Sequence, residues 1–132
     1  MPKYSEDEYF RRFEFWWISN PSFSTEDARG WIIEDSNEPD YIKGFLGNIP
    51  VDYNINGKSY TSASPSTWVV IKKYKRYSLK LLFSFLQQKK DIFVNSTPGD
   101  LTEEIFFKLG FFDIAKNQNN YIFMNNNKPI EY

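Results

Sequence analysis

A strand-like run, a helix-like run and a second strand-like run follow one another in the middle of the chain. The first run ends at Val70, the helical pattern covers residues 78–89, and the second strand pattern covers residues 91–97. Strands joined in this way are parallel neighbours, because a parallel connection needs a dozen or more residues and usually contains a helix. Such crossovers are nearly always right-handed. We therefore expect these two strands to run parallel in one sheet.

The amino-terminal part predicts a helix followed by a hairpin. Ser5 and Glu8 have the spacing of a capping box, and the helical pattern after them stops at Pro21. Strand-like runs at residues 30–35 and 41–51 flank the turn sequence SNEPD. We expect these two runs to pair antiparallel.

Turn and breaker residues divide the rest of the chain. The sequence NING predicts a turn, and Pro65 predicts that the following strand starts near Ser66. Residues 101–109 have a helical pattern that Gly110 ends, and residues 111–127 contain two β-prone segments. The element order indicates an α+β fold, with a central mixed but mostly antiparallel sheet flanked by helices. At this length we expect one domain over residues 1–132.

Composition excludes several classes of function. The chain has no cysteine and no histidine, which excludes disulfides, thiolate zinc sites and histidine-based triads. Sixteen basic residues against 17 acidic ones give a net charge of −1, which argues against a general nucleic-acid binder. The first residues lack the apolar core of a secretory signal, and no segment approaches the ~18 apolar residues of a membrane span. We expect a cytoplasmic protein with no metal and no membrane or nucleic-acid partner.

Positive charge is concentrated where the central strand gives way to the helix. Lys72, Lys73, Lys75 and Arg76 lie within one short stretch. The amino terminus of a helix has unpaired N–H groups and a partial positive charge, so it binds phosphates readily. We expect an anion site beside a helix that begins near Ser78, and a solvated charged turn is the alternative.

Residues 68–80 resemble motif A of the GNAT superfamily, the acetyl-CoA-dependent N-acyltransferases. In that motif, an apolar strand ending in valine leads to Arg/Gln-x-x-Gly-x-Gly/Ala at the start of a helix. Val70 stands at the valine, Lys75 at the Arg/Gln position, Ser78 at the first glycine and Lys80 at the Gly/Ala position. Serine and lysine therefore replace glycines that would let backbone N–H groups approach a pyrophosphate.

The resemblance extends over roughly residues 31–124. The sequence IKGFLGNIP is similar to the family's second and third strands, and Leu109, Gly110 and Phe111 are similar to its closing Leu-Gly-Phe. It implies a GNAT-like acyl-CoA N-acyltransferase fold. The family normally has a strand before its first helix, so that strand is missing here or the chain is one part of a larger acyltransferase.

The resemblance also implies an activity and a coenzyme site. The activity is transfer of an acetyl group from acetyl-CoA to a small amine, such as an amino sugar. The pantetheine arm would lie between the diverging strands, with one backbone N–H facing the thioester oxygen. The implied coenzyme contacts are Trp68, Val69, Val70, Lys75, Arg76, Tyr77, Ser78, Leu79, Lys80 and Asn95.

The groups that would carry protons depart from the family pattern. Where the family has a tyrosine that protonates the leaving thiolate, this chain has Phe106, and the central strand has no carboxylate. We predict that Tyr60 or Asp52 carries the proton. The remaining candidates are Glu34, Asn95, Ser96 and Thr97.

Two other functions stay open. Phe106 and the missing glycines favour a non-catalytic GNAT-like module that binds CoA weakly and acts in protein interaction. The sequence KKYKRY is compatible with a nucleic-acid module in which aromatic rings stack on bases, although the acidic balance opposes it. Trp16 and Trp17 would line an acceptor pocket or pack in the core.

Overall fold

The computed structural model of the chain describes residues 5–96 and 99–113. Over these residues the fold is α+β, as predicted, with three α-helices and an open, mixed sheet of four strands in the order β1-β2-β3-β4. The predicted strands of the tail lie mostly outside the described residues, and residues 111–113, which are described, contain no strand. The elements are α1 (Glu6–Phe13), a π-helical turn (Glu14–Ile18), β1 (Gly30–Ile33), β2 (Gly44–Ile55), β3 (Lys58–Val70), a 3₁₀ helix (Lys72–Tyr77), α2 (Ser78–Leu86), β4 (Ile92–Phe93) and α3 (Asp100–Lys108).

The described chain forms two compact units. The first contains the described residues up to Tyr53 together with Tyr60–Val94. The second contains Asn54–Ser59 and the described residues from Asn95 onward. The organisation as one domain, expected from the sequence, stays a prediction.

The predicted capping box begins α1. The backbone N–H of Ser5 donates to Glu8 Oε2 at 2.7 Å, and the N–H of Glu8 donates to Ser5 Oγ at 3.3 Å. After α1 the chain continues into the π-helical turn, in which Trp17 is buried. The Trp17 ring stacks on Phe13 at 5.1 Å, and its indole N–H donates to the Asn48 carbonyl at 2.7 Å. The buried Trp17 ring therefore helps to attach this segment to β2.

Two hairpins connect the first three strands. β1 pairs antiparallel with β2 from Gly30 opposite Gly47 to Ile33 opposite Gly44, which confirms the first hairpin. Asn56 and Gly57 join β2 to β3 with φ values of 53° and 79°. Two consecutive residues with positive φ are typical of a type I′ turn, which matches the twist of an antiparallel pair.

β3 contains Pro65, so the expectation that this strand starts near Ser66 is wrong. The Ala63 carbonyl accepts a hydrogen bond from Val94, which places the polar backbone groups of Ala63 on the edge facing β4. Pro65, two residues on, faces the same edge beyond the last residue of β4. Its missing N–H costs no ladder bond there, which is where strands tolerate proline.

β3 and β4 pair in parallel, as predicted from their connection. Ser62 lies opposite Ile92 and Ala63 opposite Phe93. β4 is much shorter than the predicted strand over residues 91–97. The handedness of the crossover stays a prediction.

The core lies between α2 and the sheet. Phe85 is fully buried and contacts the ring of Trp31 on β1 at 6.1 Å and the ring of Phe93 on β4 at 5.3 Å. Leu82 and Leu46 are also fully buried. Each such side chain contributes about 1.5–3 kcal/mol through the apolar surface it removes from water. α2 therefore ties both edges of the sheet together.

In the second unit, α3 ends before Gly110, as predicted. Gly110 has a φ of 93°, a conformation that glycine adopts without steric cost. Phe106 is 4% exposed and meets the Phe111 ring edge to face at 4.7 Å. The backbone N–H of Phe111 donates to the Phe106 carbonyl at 3.1 Å.

Candidate functional site

The two halves of β3 differ in what lies beside them. The amino half pairs with β4, and Asp91 reinforces this pairing by accepting the backbone N–H of Thr61 at 2.9 Å and its hydroxyl at 3.2 Å. The N–H groups of Asp91 and Val94 donate back to Thr61 and Ala63 at 3.0 Å each. β4 ends at Phe93, so residues 64–70 of β3 extend past it. We call residues 64–70 the open half of β3.

The backbone of the open half is shifted in phase by one residue. In a regular strand the N–H and C=O groups of successive residues face alternate edges. The carbonyl of Ala63 faces β4. Ile71 lies an even number of residues further along, so in a regular strand its N–H would face β4 as well. Instead, this N–H donates to the Lys43 carbonyl at 2.9 Å, on the β2 side. Thr67, with a φ of 51°, is the one residue of β3 with positive φ, and bulges in strands produce such a shift.

The shift changes the edge of the sheet that the peptide groups of Trp68 and Val70 face. After the shift at Thr67, their peptide groups face the edge away from β2, which is the edge that β4 leaves open. The parallel pairing ends at Ala63 and Phe93, so Trp68 and Val70, whose backbone groups the resemblance implies for the pantetheine arm, lie beyond it. Divergence of the two strands stays a prediction.

The side chains of the open half divide between the two faces of the sheet. Val70 is buried and Val69 is 40% exposed. The indole N–H of Trp68 is buried and has no hydrogen-bond partner among the described residues. Buried donors normally have a partner, so an unpaired one is of the kind that a bound molecule satisfies.

The cations that follow β3 lie on a 3₁₀ helix, Lys72–Tyr77, which we call the basic helix. A 3₁₀ helix has three residues per turn, so residues three apart lie in one row. Lys72 and Lys75 share a row that continues to Ser78 at the start of α2. Lys73 and Arg76 share a second row, and Tyr74 and Tyr77 share the third. The structure therefore divides the positive charge between two faces.

α2 begins at Ser78, as predicted, but the expectation that unpaired N–H groups mark this start is wrong. The basic helix continues directly into α2, and the Ser78 N–H donates to the Lys75 carbonyl. The first helical bond runs from the Tyr74 N–H to the Ile71 carbonyl at 2.8 Å. The positive end of the helical segment therefore lies at Lys72 and Lys73.

A cleft of about 560 Å³ separates the basic helix from the turn after β1. We call this turn, residues 34–40, the acidic turn, because it contains Glu34, Asp35, Glu38 and Asp40. Lys73, Arg76 and Tyr77 line one wall, and Ile33, Glu34, Asp35 and Ser36 line the other. Lys75, Ser78, Leu79 and Lys80 lie outside this lining. Of the predicted coenzyme residues, only Arg76 and Tyr77 line this cleft.

Tyr74 joins the basic helix to the acidic turn. Its hydroxyl donates to Asp35 Oδ2 at 2.7 Å and to Glu38 Oε2 at 3.3 Å. The hydrogen bond from Tyr74 holds the pKa of Asp35 below its usual value. In return, the bond to Asp35 raises the pKa of Tyr74 to about 12. At neutral pH the tyrosine therefore keeps its proton and the carboxylate keeps its charge.

Rings and cations also meet at the junction with α2. The Arg76 guanidinium lies 4.7 Å from the centre of the Tyr77 ring, and Lys80 Nζ lies 5.2 Å from it. Cation–ring contacts at exposed sites contribute about 0.5–1 kcal/mol. Leu79 is 45% exposed. These contacts place Arg76, Tyr77 and Lys80 together.

Tyr60 and Asp52 lie on the arms of the second hairpin. Tyr60 is half-buried, and Asp52 is exposed, with its backbone N–H donating to Ser22 Oγ at 2.9 Å. Tyr60 precedes Trp68 by eight residues on β3, roughly 26 Å at the rise of an extended strand. The structure does not bring it to the peptide groups of Trp68 and Val70.

The remaining predicted residues have varied surroundings. Glu34 is exposed in the cleft, Asn95 is half-buried, and Thr97 lies outside the described residues. Trp17 is buried and bonded to the Asn48 carbonyl, so it packs in the core. Trp16 is half-buried and meets the Trp17 ring edge to face at 5.9 Å.

Two features of the site were not predicted from the sequence. One is the bond between Tyr74 and Asp35, which are 39 positions apart. The other is the pair of hydrogen bonds that Thr61 donates to Asp91, which we call the clamp. A signal for the first exists in KKYKRY, because Tyr74 and Tyr77 have the spacing of one apolar row on a 3₁₀ helix. No local pattern identifies the second.

The chain matches no protein-family model, and no curated protein has detectable similarity to it. Among residues 5–96 and 99–113, no helix has the length and apolar character needed to cross a membrane. Over the same residues, no cluster of three or more acidic side chains could hold a metal ion. The function of this chain must therefore be inferred from the geometry of β3 and the basic helix.

Proposed function

We propose that the protein is an acyl-CoA-dependent N-acyltransferase that moves an acetyl group from acetyl-CoA to a small amine. The observation that carries this proposal is the open half of β3. A parallel pair of strands is joined by a helix, the pairing ends at Ala63 and Phe93, and the shift at Thr67 directs the peptide groups of Trp68 and Val70 to the edge of β3 that faces away from β2. An extended ligand with amide groups, such as pantetheine, would add to this edge through backbone hydrogen bonds.

The basic helix supports the phosphate end of the same ligand. It begins two residues after Val70, at the carboxyl end of the open half. The row of Lys72, Lys75 and Ser78 places two ammonium groups and a hydroxyl on one face. In the family, backbone N–H groups beside glycines bind the phosphates. Here the lysine side chains would bind them instead, as point charges.

The direct test is calorimetric titration of the protein with CoA. We expect binding, and we expect Lys75→Gln to raise the Kd about tenfold, the scale of one lost charged hydrogen bond. Lys73→Gln is the matched control, because it removes the same charge from the row that faces the acidic turn. Its Kd should stay within about twofold of the unmutated protein. Absence of CoA binding at millimolar ligand would reject the proposal.

Catalysis requires a group that removes a proton from the amine and one that protonates the thiolate. Tyr60 and Asp52 are the carriers predicted from the sequence. The roughly 26 Å along β3 between Tyr60 and Trp68 favours water as the carrier instead, because a proton carrier must lie within hydrogen-bond reach. If one of them acts, Tyr60→Phe or Asp52→Asn should lower kcat about 100-fold or more with CoA affinity unchanged, the usual scale of acid–base assistance. Small losses in both would reject this assignment. Positioning and backbone donors would then supply most of the rate, which positioning can do to the extent of ~7–11 kcal/mol.

The second candidate is a GNAT-like module without catalytic activity. Phe106 favours it, since a phenylalanine packed against Phe111 donates no proton. In that case CoA would bind weakly, and no amine would increase the release of free thiol from acetyl-CoA. A thiol-trapping assay over a panel of amino sugars and other small amines separates the two functions.

A further inference from the structure

Tyr74 is the residue through which the basic helix is attached to the rest of the first unit. It lies in the middle of the basic helix and is 8% exposed, whereas its neighbours Lys73 and Lys75 are exposed. Its hydroxyl donates to two carboxylates, those of Asp35 and Glu38. Tyr74 therefore fixes both the position of the helix and its rotation about its own axis.

The acceptors of this bond are themselves held in place. Asp35 Oδ1 accepts the backbone N–H of Asn37 at 2.9 Å, which stiffens the acidic turn. Glu38 pairs with Lys43 at 3.3 Å, and the Lys43 side chain is only 7% exposed. Lys43 Nζ also lies 5.9 Å from the centre of the Tyr74 ring. The tyrosine is thus fixed by a network rather than by one exposed contact.

The rotation of the basic helix about its own axis decides which of its cations face the cleft and which face away from it. With three residues per turn, a rotation of the basic helix by one position would exchange the Lys72–Lys75 row for the Lys73–Arg76 row. Anchoring Tyr74 at the acidic turn directs Lys73 and Arg76 into the cleft. The Lys72–Lys75 row then takes the other face of the helix, in line with Ser78.

We infer that Tyr74 is a positioning residue for coenzyme binding, holding Lys75 where it pairs with the pyrophosphate of CoA. This inference rests on the proposed function. Tyr74 itself does not touch the ligand, since its hydroxyl is occupied by Asp35 and Glu38. Its bond to the acidic turn fixes the direction of the lysine row.

A double-mutant cycle on the whole chain tests this, with the Kd for CoA measured for the unmutated protein, Tyr74→Phe, Lys75→Gln and the double variant. We expect each single change to raise the Kd about tenfold. The double variant should lose about ten- to twentyfold rather than a hundredfold, because a residue that acts through another gives non-additive effects. Tyr41→Phe is the matched control, since this tyrosine is 71% exposed beside the same turn. It should bind CoA as tightly as the unmutated protein.

Other outcomes overturn the inference. Additive losses of about a hundredfold would mean that Tyr74 does not act through Lys75. An unchanged Kd in Tyr74→Phe, or an equal loss in Tyr41→Phe, would also reject it while leaving the proposed function intact. No CoA binding by the unmutated protein would reject both.

A second pair of variants covers the case in which Tyr74→Phe does not fold. Asp35→Asn keeps a partner for Tyr74, because its Nδ2 donates to the Tyr74 hydroxyl while its Oδ1 accepts the Asn37 N–H. Asp35→Ala removes both bonds. We expect the asparagine variant to bind CoA within about twofold of the unmutated protein, and the alanine variant about tenfold more weakly. Equal affinities in the two variants would contradict the positioning role.

Discussion

The two halves of β3 belong to one strand and have opposite roles. The amino half is fixed by Asp91 and by the pairing with β4, and its polar backbone groups are used within the sheet. The open half begins where β4 stops, and the shift at Thr67 directs the peptide groups of Trp68 and Val70 away from β2. A strand that is firmly paired at one end can therefore present a preformed backbone edge at the other.

The largest expected effect on stability comes from the packing beside the paired half of β3, which is the amino half that pairs with β4. Phe85 is fully buried between the rings of Trp31 and Phe93. Phe85→Ala should lower the free energy of unfolding by about 3–5 kcal/mol, because it leaves a cavity where β1, α2 and β4 meet. Urea titration measures this. Phe83→Ala on the same helix, where the ring is 48% exposed, should cost much less, and equal losses would contradict this account of the core.

The position of α2 is the part of the fold that the sequence predicted best, although its buried face contains Leu81, Leu82 and Phe85, whereas Leu79 and Phe83 are 45% and 48% exposed. Helical spacing of apolar residues is local information, and so is the capping box of Ser5 and Glu8, which depends on residues three positions apart. The parallel pair followed from connection length alone. These predictions were confirmed because the physical cause lies within the predicted segment.

The site was predicted less well, because its causes are not local. A β-branched residue such as Thr67 rarely has positive φ, so no pattern pointed to the shift of the open half. The early start of the basic helix depends on Tyr74 and Asp35, which lie far apart in the chain. Pro65 was misread for the same reason. Its effect depends on where β4 ends, which the sequence of β3 does not contain.

A smaller effect is expected from the clamp at the start of the paired half. Asp91→Ala removes the acceptor for both the backbone and the hydroxyl of Thr61. The free energy of unfolding should fall by about 1–2 kcal/mol. Asp91→Asn retains an acceptor oxygen and should lose less. If the alanine variant were as stable as the unmutated protein, the clamp would not be what holds the paired half.

A gain in stability is expected at the shift itself. Thr67 has a φ of 51°, a left-handed conformation that costs a residue with a Cβ about 1–2 kcal/mol. Thr67→Gly should therefore raise the free energy of unfolding by about 0.5–1 kcal/mol after the entropic cost of glycine is subtracted. Ser66→Gly, one residue earlier, should lower it by about 0.5–1 kcal/mol. Destabilisation by both changes would argue against strain at Thr67.

The smallest expected effect is a pH dependence that originates in Tyr74. Its pKa is raised from 10.0 to about 12 by the bond to Asp35. A group whose pKa is raised by folding stabilises the protein fully below its unfolded pKa and loses that contribution as pH rises through the folded value. The stability difference between the unmutated protein and Tyr74→Phe should therefore be constant below pH 10.0 and shrink toward pH 12. Denaturant midpoints of both proteins across this range measure it, and a constant difference would contradict the bond.

The most direct test of the central claim is a two-dimensional amide NMR titration of the protein with CoA. The account predicts that the amide signals of Trp68 and Val70, in the open half of β3, shift progressively and saturate together with that of Lys75. The amides of Thr61 and Ala63, which are used in pairing with β4, should stay in place. Saturation with CoA that leaves Trp68 and Val70 unshifted would contradict the claim that the open half of β3 is the coenzyme edge.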